Sequence, residues 1–132
     1  MKKEVLMSEK GLFCGINKPE DPANLSEMEK KHIPVIDAPE EVTAGEPFNV
    51  TIKVGEIPHV MENAHHIQWL DVSFGSNFYA RVDLTPEFTS PTVTLSLIRH
   101  GKGSHDRGTL RVTERCNIHG LWAAEKEIGV KK

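Results

Sequence analysis

The sequence has no excess of basic residues, no long hydrophobic run and very little cysteine, and each absence excludes a class of protein. Lysine and arginine number 16 against 19 aspartate and glutamate residues, so the formal net charge is −3 over 132 residues. Domains that bind nucleic acid present a basic face, and this balance therefore argues against nucleic acid as the main partner. No apolar run reaches the roughly 18 residues of a membrane-spanning helix, so we expect no membrane span.

The two cysteines, Cys14 and Cys116, are too few for the disulfide framework of a small secreted domain. A chain of this length buries a core without such bonds. The first 15 residues contain lysines but no continuous apolar segment, so they predict no secretory signal. One disulfide between the two cysteines stays open as an alternative. The sequence favours a reduced, cytoplasmic chain, in which an isolated cysteine more often serves metal or redox chemistry.

Short segments that alternate apolar and polar residues predict a β protein. In residues 48–54 every second side chain is apolar, which is the pattern of a strand with one buried face. Five further segments are predicted as strands on the same grounds, namely residues 67–74, 78–84, 92–98, 109–114 and 126–130. Turn-forming residues separate these segments, and no long helical pattern intervenes. The sequence therefore predicts an all-β fold, an antiparallel β-sandwich.

Residues 1–28 differ from this pattern because they contain two prolines and many charged residues and show no strand periodicity. They are predicted as an irregular N-terminal extension. One short helical turn is expected at residues 25–30, with Asn24 or Ser26 as its cap. Residues 29–132 are predicted to form one domain.

Three short segments concentrate residue types that bind transition metals. They contain His32; His59, His65 and His66; and Cys116 and His119. Each segment lies in a loop or at a strand end, and a sandwich gathers such loops at one end. Adjacent side chains point to opposite sides of an extended chain, so only one histidine of the neighbouring pair is expected to be a ligand. Gly120 follows the third segment and allows a tight turn there.

Each of these residues also has a simpler explanation when it is taken alone. Cys116 beside a strand could serve as a small buried hydrophobic residue. His32 could be a surface or capping residue, and His100 and His105 in a glycine-rich loop are expected to face solvent. The spacing Cys-x2-His-Gly together with His-x5-His in one reduced β protein nevertheless favours a metal site.

The number and type of the ligands distinguish between metals. Four imidazoles and one thiolate are too many for a closed tetrahedral zinc site. They also differ from the two histidines, one cysteine and weak axial group of a blue copper site. They suit a five-coordinate iron with one open position. Neutral imidazoles and one thiolate on Fe(2+) leave a charge of +1, which attracts a small anion.

The segments KHIPVI, IPHVMENAHHIQWL and CNIHGLWAAEKEI resemble the motifs of superoxide reductases of the one-iron, or neelaredoxin, type in the desulfoferrodoxin family. The resemblance covers about residues 29–130. It implies an immunoglobulin-like seven-stranded β-sandwich and one mononuclear non-heme iron that alternates between Fe(2+) and Fe(3+). The second iron domain of two-iron members needs a cluster of cysteines, and Cys14 is alone in that region. The resemblance therefore implies a one-iron oxidoreductase that converts superoxide to hydrogen peroxide.

Carried over by position, the resemblance implies a role for each matching residue. The implied iron ligands are His32, His59, His65 and His119 in the equatorial plane and Cys116 as the axial thiolate. His66 is then a non-ligand, and Lys31 matches a lysine that guides superoxide. The backbone amides of Ile118 and His119 are expected to donate to the cysteine sulfur, while Asn117 braces the turn.

One position departs from the family pattern and affects a sixth ligand. The family usually has a glutamate two residues before the first ligand histidine, and Lys30 stands there in this chain. Glu29, one place earlier, is the candidate sixth ligand in its stead.

The implied activity also predicts partners. Superoxide is the substrate, and the absence of a flavin or nicotinamide motif requires an external electron donor, for which the resemblance suggests rubredoxin. One-iron members are often tetramers, so a homo-oligomer is expected and a tetramer favoured. The expected setting is the cytoplasm, with detoxification during oxidative stress as the role. Two alternatives stay open: a non-catalytic zinc- or iron-binding sandwich with no open position, and an electron-transfer protein.

Overall fold

The computed structural model describes residues 12–100 and 107–132, which form two β-sheets with a short helix between the first two strands. The elements in chain order are β1 (Ile16–Asn17), α1 (Glu27–His32), β2 (Pro34–Asp37), β3 (Glu41–Thr43), β4 (Pro47–Val54), β5 (Ile67–Phe74), β6 (Asn77–Asp83), β7 (Thr92–Ile98), β8 (Arg107–Cys116) and β9 (Gly120–Lys131). Among the described residues, no helix has the length and apolar character needed to cross a membrane.

The larger sheet has the order β1-β9-β8-β5-β6, and β3 also pairs with β9. The smaller sheet has the order β2-β4-β7. The long pairings, β8 with β9, β8 with β5 and β4 with β7, are all antiparallel, whereas β1 and β3 join β9 in parallel. The predicted all-β sandwich is therefore confirmed. β1, β2 and β3 are additions to the six predicted strands, because strands of two to four residues are too short to show a clear period-2 pattern.

The buried faces of the two sheets form one core between them. On β4 the buried side chains are those of Phe48, Val50, Ile52 and Val54, as the alternation predicts. On β8 the buried positions are Leu110, Val112, Glu114 and Cys116. This alternation carries Cys116, the last residue of β8, to the end of the core where the β4–β5 segment also lies.

α1 begins with a capping box at Ser26, one of the two caps expected from the sequence. The Ser26 side chain accepts from the Glu29 backbone N–H, and the Glu29 carboxylate accepts from the Ser26 backbone N–H at 2.8 Å. Ser26 is thus the cap, and the helix continues two residues beyond the expected turn to end at His32. The division of the chain at residue 28 stays a prediction. His100 is exposed, and His105 lies outside the described residues.

Candidate metal centre

Four of the five predicted ligands converge at one end of the sandwich. The ligand atoms of His32, His59, His65 and Cys116 all lie within 4.8 Å of one another. His32 ends α1, the next two histidines lie between β4 and β5, and the cysteine ends β8. His119 completes the group, because its ring centre lies 4.9 Å from that of His32 and its Nδ1 lies 3.7 Å from the cysteine Sγ.

α1 and the segment after β4 contact each other closely, and this contact places His32 beside His59. The Ile57 backbone N–H donates to the Lys30 carbonyl at 3.0 Å, and the His59 N–H donates to the Val54 carbonyl at 2.9 Å. Gly55 lies between these contacts, where a Cβ atom would meet the backbone of α1. Only glycine therefore allows the helix and the segment to approach this closely.

Asn117 connects the turn after β8 to the segment that holds His65. Its side-chain Oδ1 accepts from the His66 N–H at 2.8 Å, and its Nδ2 donates to the Ala64 carbonyl at 3.0 Å. Its backbone N–H donates to the His66 carbonyl at 3.1 Å. Asn117 therefore braces two loops against each other, which goes further than the local bracing expected from sequence.

The hydrogen bonds of His32 and His59 determine which ring nitrogen carries the proton. His32 Nδ1 lies 2.8 Å from the Met28 carbonyl oxygen, and His59 Nδ1 lies 2.7 Å from the Val60 carbonyl oxygen. A carbonyl oxygen only accepts, so each Nδ1 donates its proton outward. Burial lowers the pKa of both imidazoles to about 4, so both are neutral at neutral pH. Both Nε2 atoms are therefore unprotonated.

The inner nitrogens consequently form a cluster of lone pairs. The Nε2 atoms of His32 and His59 face each other at 3.2 Å with no proton available between them. His65 Nε2 is buried and has no hydrogen-bond partner among the described residues. Bare lone pairs at this separation repel, and a cation between them turns the repulsion into coordination. The donor set thus fits a transition-metal ion that accepts imidazole nitrogen.

Cys116 supplies sulfur to the same cluster. Its side chain is buried, and its Sγ lies 3.6 Å from His59 Nε2. Burial raises the pKa of the Cys116 thiol, whereas the backbone N–H groups of Ile118 and His119 act in the opposite direction. The His119 N–H points at Sγ across 3.4 Å. A thiol in this position becomes a thiolate readily only when a positive charge lies beside it.

Two predicted residues lie outside the cluster. Both carboxylate oxygens of Glu29 accept backbone N–H groups, from Ser26 at 2.8 Å and from Glu20 at 3.2 Å. The carboxylate is therefore occupied at the start of α1, and these contacts give no support to its expected role as a sixth ligand. His66 Nδ1 lies 3.2 Å from the Glu62 carbonyl oxygen, so the His66 ring contacts the backbone of its own loop and not the cluster.

A cavity of about 710 Å³ opens over the histidines. Its walls are mostly apolar, with Met28, Ile57 and Val60 partly exposed around it. Lys31 lines the cavity and is exposed, as the predicted role requires, and Glu27 lines it as well. The cluster therefore borders open space and differs from a closed structural metal site.

Sequence reasoning did not identify the residues that orient the ligands. The carbonyl groups of Met28 and Val60 fix two imidazoles, and the Trp122 ring stacks on His32. Glu114 is fully buried two residues before Cys116. Two of these residues left a signal in the sequence: Trp122 lies within the third motif, and Glu114 is a charged residue at an apolar position of an alternating strand.

Comparison with known proteins agrees with this geometry. Residues 24–125 match the desulfoferrodoxin family. The superoxide reductase of Pyrococcus furiosus is 34% identical over 110 residues, which cover 73% of this chain and 86% of that protein. The neelaredoxin of Megalodesulfovibrio gigas is 32% identical over 121 residues, which cover 77% of this chain and 89% of the relative.

Solved structures give the same result. The superoxide reductase (neelaredoxin) of Ignicoccus hospitalis superimposes with a TM-score of 0.75 at 34% identity. The superposition covers 94% of this chain and 99% of the other. The chain therefore belongs to the desulfoferrodoxin family, among the neelaredoxin-type superoxide reductases.

Proposed function

We propose that this chain reduces superoxide to hydrogen peroxide by the reaction O2•− + e− + 2 H+ → H2O2. The observation that carries this conclusion is the set of unprotonated imidazole nitrogens at an open cavity, with the buried cysteine sulfur beside them. The family supports the same activity, since relatives that are 34% and 35% identical to this chain are named superoxide reductases. The chain is accordingly an oxidoreductase.

The cluster has the ligand chemistry for one mononuclear iron. We assign the ligands to His32, His59, His65, His119 and Cys116. An iron ion held by these residues supplies a one-electron couple between Fe(2+) and Fe(3+). The outward N–H bonds of His32 and His59 leave their Nε2 lone pairs aimed inward, and the two amides near Sγ stabilise negative charge on the sulfur.

Lys31 is proposed to attract the substrate. Its ammonium group is exposed at the cavity that leads to the cluster. The chain as a whole carries a net charge of −3, which repels an anion, and a local positive charge at the opening offsets this effect. Superoxide is small compared with the cavity, so water also enters and supplies the two protons.

The electron is proposed to come from a rubredoxin-like protein. The chain itself is proposed to form a homo-oligomer, for which a tetramer is favoured. The partly exposed apolar side chains of Met28, Ile57 and Val60 surround the cavity. Such a surface suits the brief docking of a small electron-transfer protein close to the redox centre. The family resemblance supports both the type of donor and the oligomeric state.

The first test is the visible spectrum of the iron-loaded protein and of the variant Cys116→Ser. The protein is loaded with Fe(2+) without oxygen and oxidised gently. We expect a thiolate-to-ferric charge-transfer band that is absent from Cys116→Ser. Cys14→Ser is the matched control, because Cys14 is exposed, and it should keep the band.

Turnover separates a reductase from the other interpretations. With an electron donor present, a reductase forms one peroxide for each superoxide consumed, whereas dismutation forms half as much and releases oxygen. A protein that binds zinc, shows no charge-transfer band and forms no peroxide would instead be the non-catalytic metal-binding sandwich. A band without peroxide formation would indicate an electron-transfer protein.

A further inference from the structure

We propose that Trp122 is a positioning residue of the metal centre, which fixes His32 and His119 relative to each other. The proposal rests on the proposed function, because it takes these two histidines as ligands. They reach the cluster from distant parts of the chain, one at the end of α1 and the other just before β9. Trp122 contacts both of them and is 3% exposed.

The first contact orients the ring of His32. The indole of Trp122 stacks on this imidazole with ring centres 4.8 Å apart and planes 25° from parallel. The Met28 carbonyl already holds Nδ1 of the same imidazole at 2.8 Å. This hydrogen bond still allows the His32 ring to rotate about the Nδ1···O axis, and the flat face of the indole restricts that rotation. Together they direct Nε2 at the cluster.

The second contact holds the turn that contains His119. The indole Nε1–H of Trp122 donates to the His119 carbonyl oxygen at 3.0 Å. This bond anchors the backbone whose N–H group points at Cys116 Sγ across 3.4 Å. Gly120 follows with φ +83°, a conformation that glycine adopts without strain, and leads the chain directly into β9.

The N-terminal segment supports Trp122 from the other side of its strand. Asn17 of β1 pairs with Trp122 in parallel register. The Asn17 side chain donates to the Leu121 carbonyl at 2.8 Å and to the Leu12 carbonyl at 2.9 Å. The Leu12 carbonyl oxygen in turn occupies the space that a Cβ atom on residue 120 would need. This part of the N-terminal segment therefore buttresses the start of β9, next to the ligand turn.

A tryptophan that only fills the core would need neither the stack on an imidazole nor the bond to a ligand's carbonyl. Trp69 provides the comparison, because it is the other of the two tryptophans and packs beneath the guanidinium of Arg81, 4.0 Å from its ring. It lies on β5, one residue away from buried Leu70 and on the opposite face of the strand. Trp69→Phe therefore makes the same chemical change away from the cluster.

The test compares Trp122→Phe, Trp122→Leu and Trp69→Phe in the iron-loaded protein. The readouts are the rate at which a chelator removes Fe(2+), the position of the ferric charge-transfer band and the melting temperature. Loss of a group that orients a metal ligand typically costs about 10- to 100-fold in metal affinity. We expect Trp122→Phe to release iron about 10-fold faster with a shifted band, Trp122→Leu to release it faster still, and Trp69→Phe to match the wild type in both.

The outcomes separate this inference from the proposed function. If the wild type binds iron and forms peroxide while Trp122→Phe keeps the wild-type band and release rate, the inference is wrong and the function stands. If the wild type neither binds iron nor forms peroxide, the function itself fails. Should the Trp122 variants not fold, Asn17→Ala tests the same support: faster iron release upholds the proposal, and an unchanged rate overturns it.

Discussion

At the residue scale, the proposed centre depends on which nitrogen of each imidazole is protonated. The motif shows that His32 and His59 are present, but the backbone carbonyls of Met28 and Val60 decide that both donate outward. Any residue has a carbonyl group, so these partners leave no mark in the sequence. The result is a pair of inward lone pairs 3.2 Å apart, which is the clearest structural sign of a cation site.

Glu29 provides a prediction at this scale, because one substitution distinguishes the sixth-ligand role expected from sequence from the capping role seen in the structure. Glutamine at the same position of a capping box still reaches back to the cap backbone. The glutamine oxygen keeps the bond from Ser26, and only the exposed bond from the Glu20 N–H is lost. We therefore expect Glu29→Gln to keep most of the stability of the wild type. We also expect its ferric spectrum, recorded across pH, to match that of the wild type.

Glu29→Ala is the control, since it removes the carboxylate and with it the bond from the Ser26 backbone N–H that completes the capping box. It should lower the free energy of unfolding by about 1 kcal/mol, the usual cost of losing a capping interaction. A ferric spectrum that changes in Glu29→Gln while stability does not would show that the carboxylate reaches the iron, contrary to the contacts in this structure.

At the scale of elements, α1 is too short to be stable by itself. It has six residues, and isolated helices shorter than about 12 residues are marginal in water. Its position, and hence that of His32, depends on the packing against the segment after β4. Gly55 permits this packing, because a side chain there would meet the backbone of Lys30 and Lys31.

Gly55→Ala should therefore displace α1 and weaken metal binding more than its effect on the fold alone would suggest. Crowding of this kind typically costs about 1–3 kcal/mol. We expect a lower melting temperature together with faster loss of Fe(2+) to a chelator. Both quantities are to be measured on the same iron-loaded preparation.

Gly108→Ala is the matched control. Its added Cβ would meet the Phe74 ring, near the opposite end of β8 from Cys116. It should lower the melting temperature while leaving iron release unchanged among the folded molecules. Equal effects of the two substitutions on iron release would mean that general destabilisation, and not the position of α1, controls the metal.

At the scale of the whole molecule, the buried acid Glu114 makes stability depend on pH, because it lies in a mostly apolar core. Glu114 is fully buried between its neighbours on β5 and β9, and within residues 12–100 and 107–132 neither of its carboxylate oxygens has a hydrogen-bond partner. Burial raises the pKa of this carboxyl well above its usual value of 4.5. At pH values between the unfolded and the folded pKa, the folded protein therefore binds a proton that the unfolded chain has released.

This difference predicts how the stability of the metal-free protein depends on pH. Above pH 4.5 the unfolded chain binds fewer protons at this site than the folded chain, so Glu114 makes the free energy of unfolding fall as pH rises. Glu114→Gln removes this contribution. We expect the stability of the variant relative to wild type to increase from pH 5 to pH 7.5, as measured by denaturant unfolding.

The difference between the two proteins is the informative quantity. Burial lowers the pKa of His32 and His59 to about 4, so these residues make the stability rise between about pH 4 and 6.5 in both proteins, and their effect cancels. A difference that does not change with pH would show that Glu114 is ionised in the folded core, with a partner that compensates its charge.

Much of the fold follows from local patterns. β5 and β7 coincide with their predicted bounds, because the alternation of side chains over seven or eight residues records which face is buried. β8 and β9 extend beyond the predicted segments because pairing continues where the alternation weakens. The family, the metal chemistry and the ligand types likewise follow from motifs in short stretches of chain.

Contacts between distant segments required the tertiary structure. The stack of Trp122 on His32 and the bridge from Asn117 to the loop of His66 join residues that are far apart in sequence. The sequence by itself determined the β architecture and the kinds of ligand, because strand alternation and ligand spacing are each readable within a short stretch of chain. Only the folded chain decided which imidazole nitrogen faces inward and how closely α1 approaches the segment after β4, because both depend on which backbone groups the packing brings within hydrogen-bond distance.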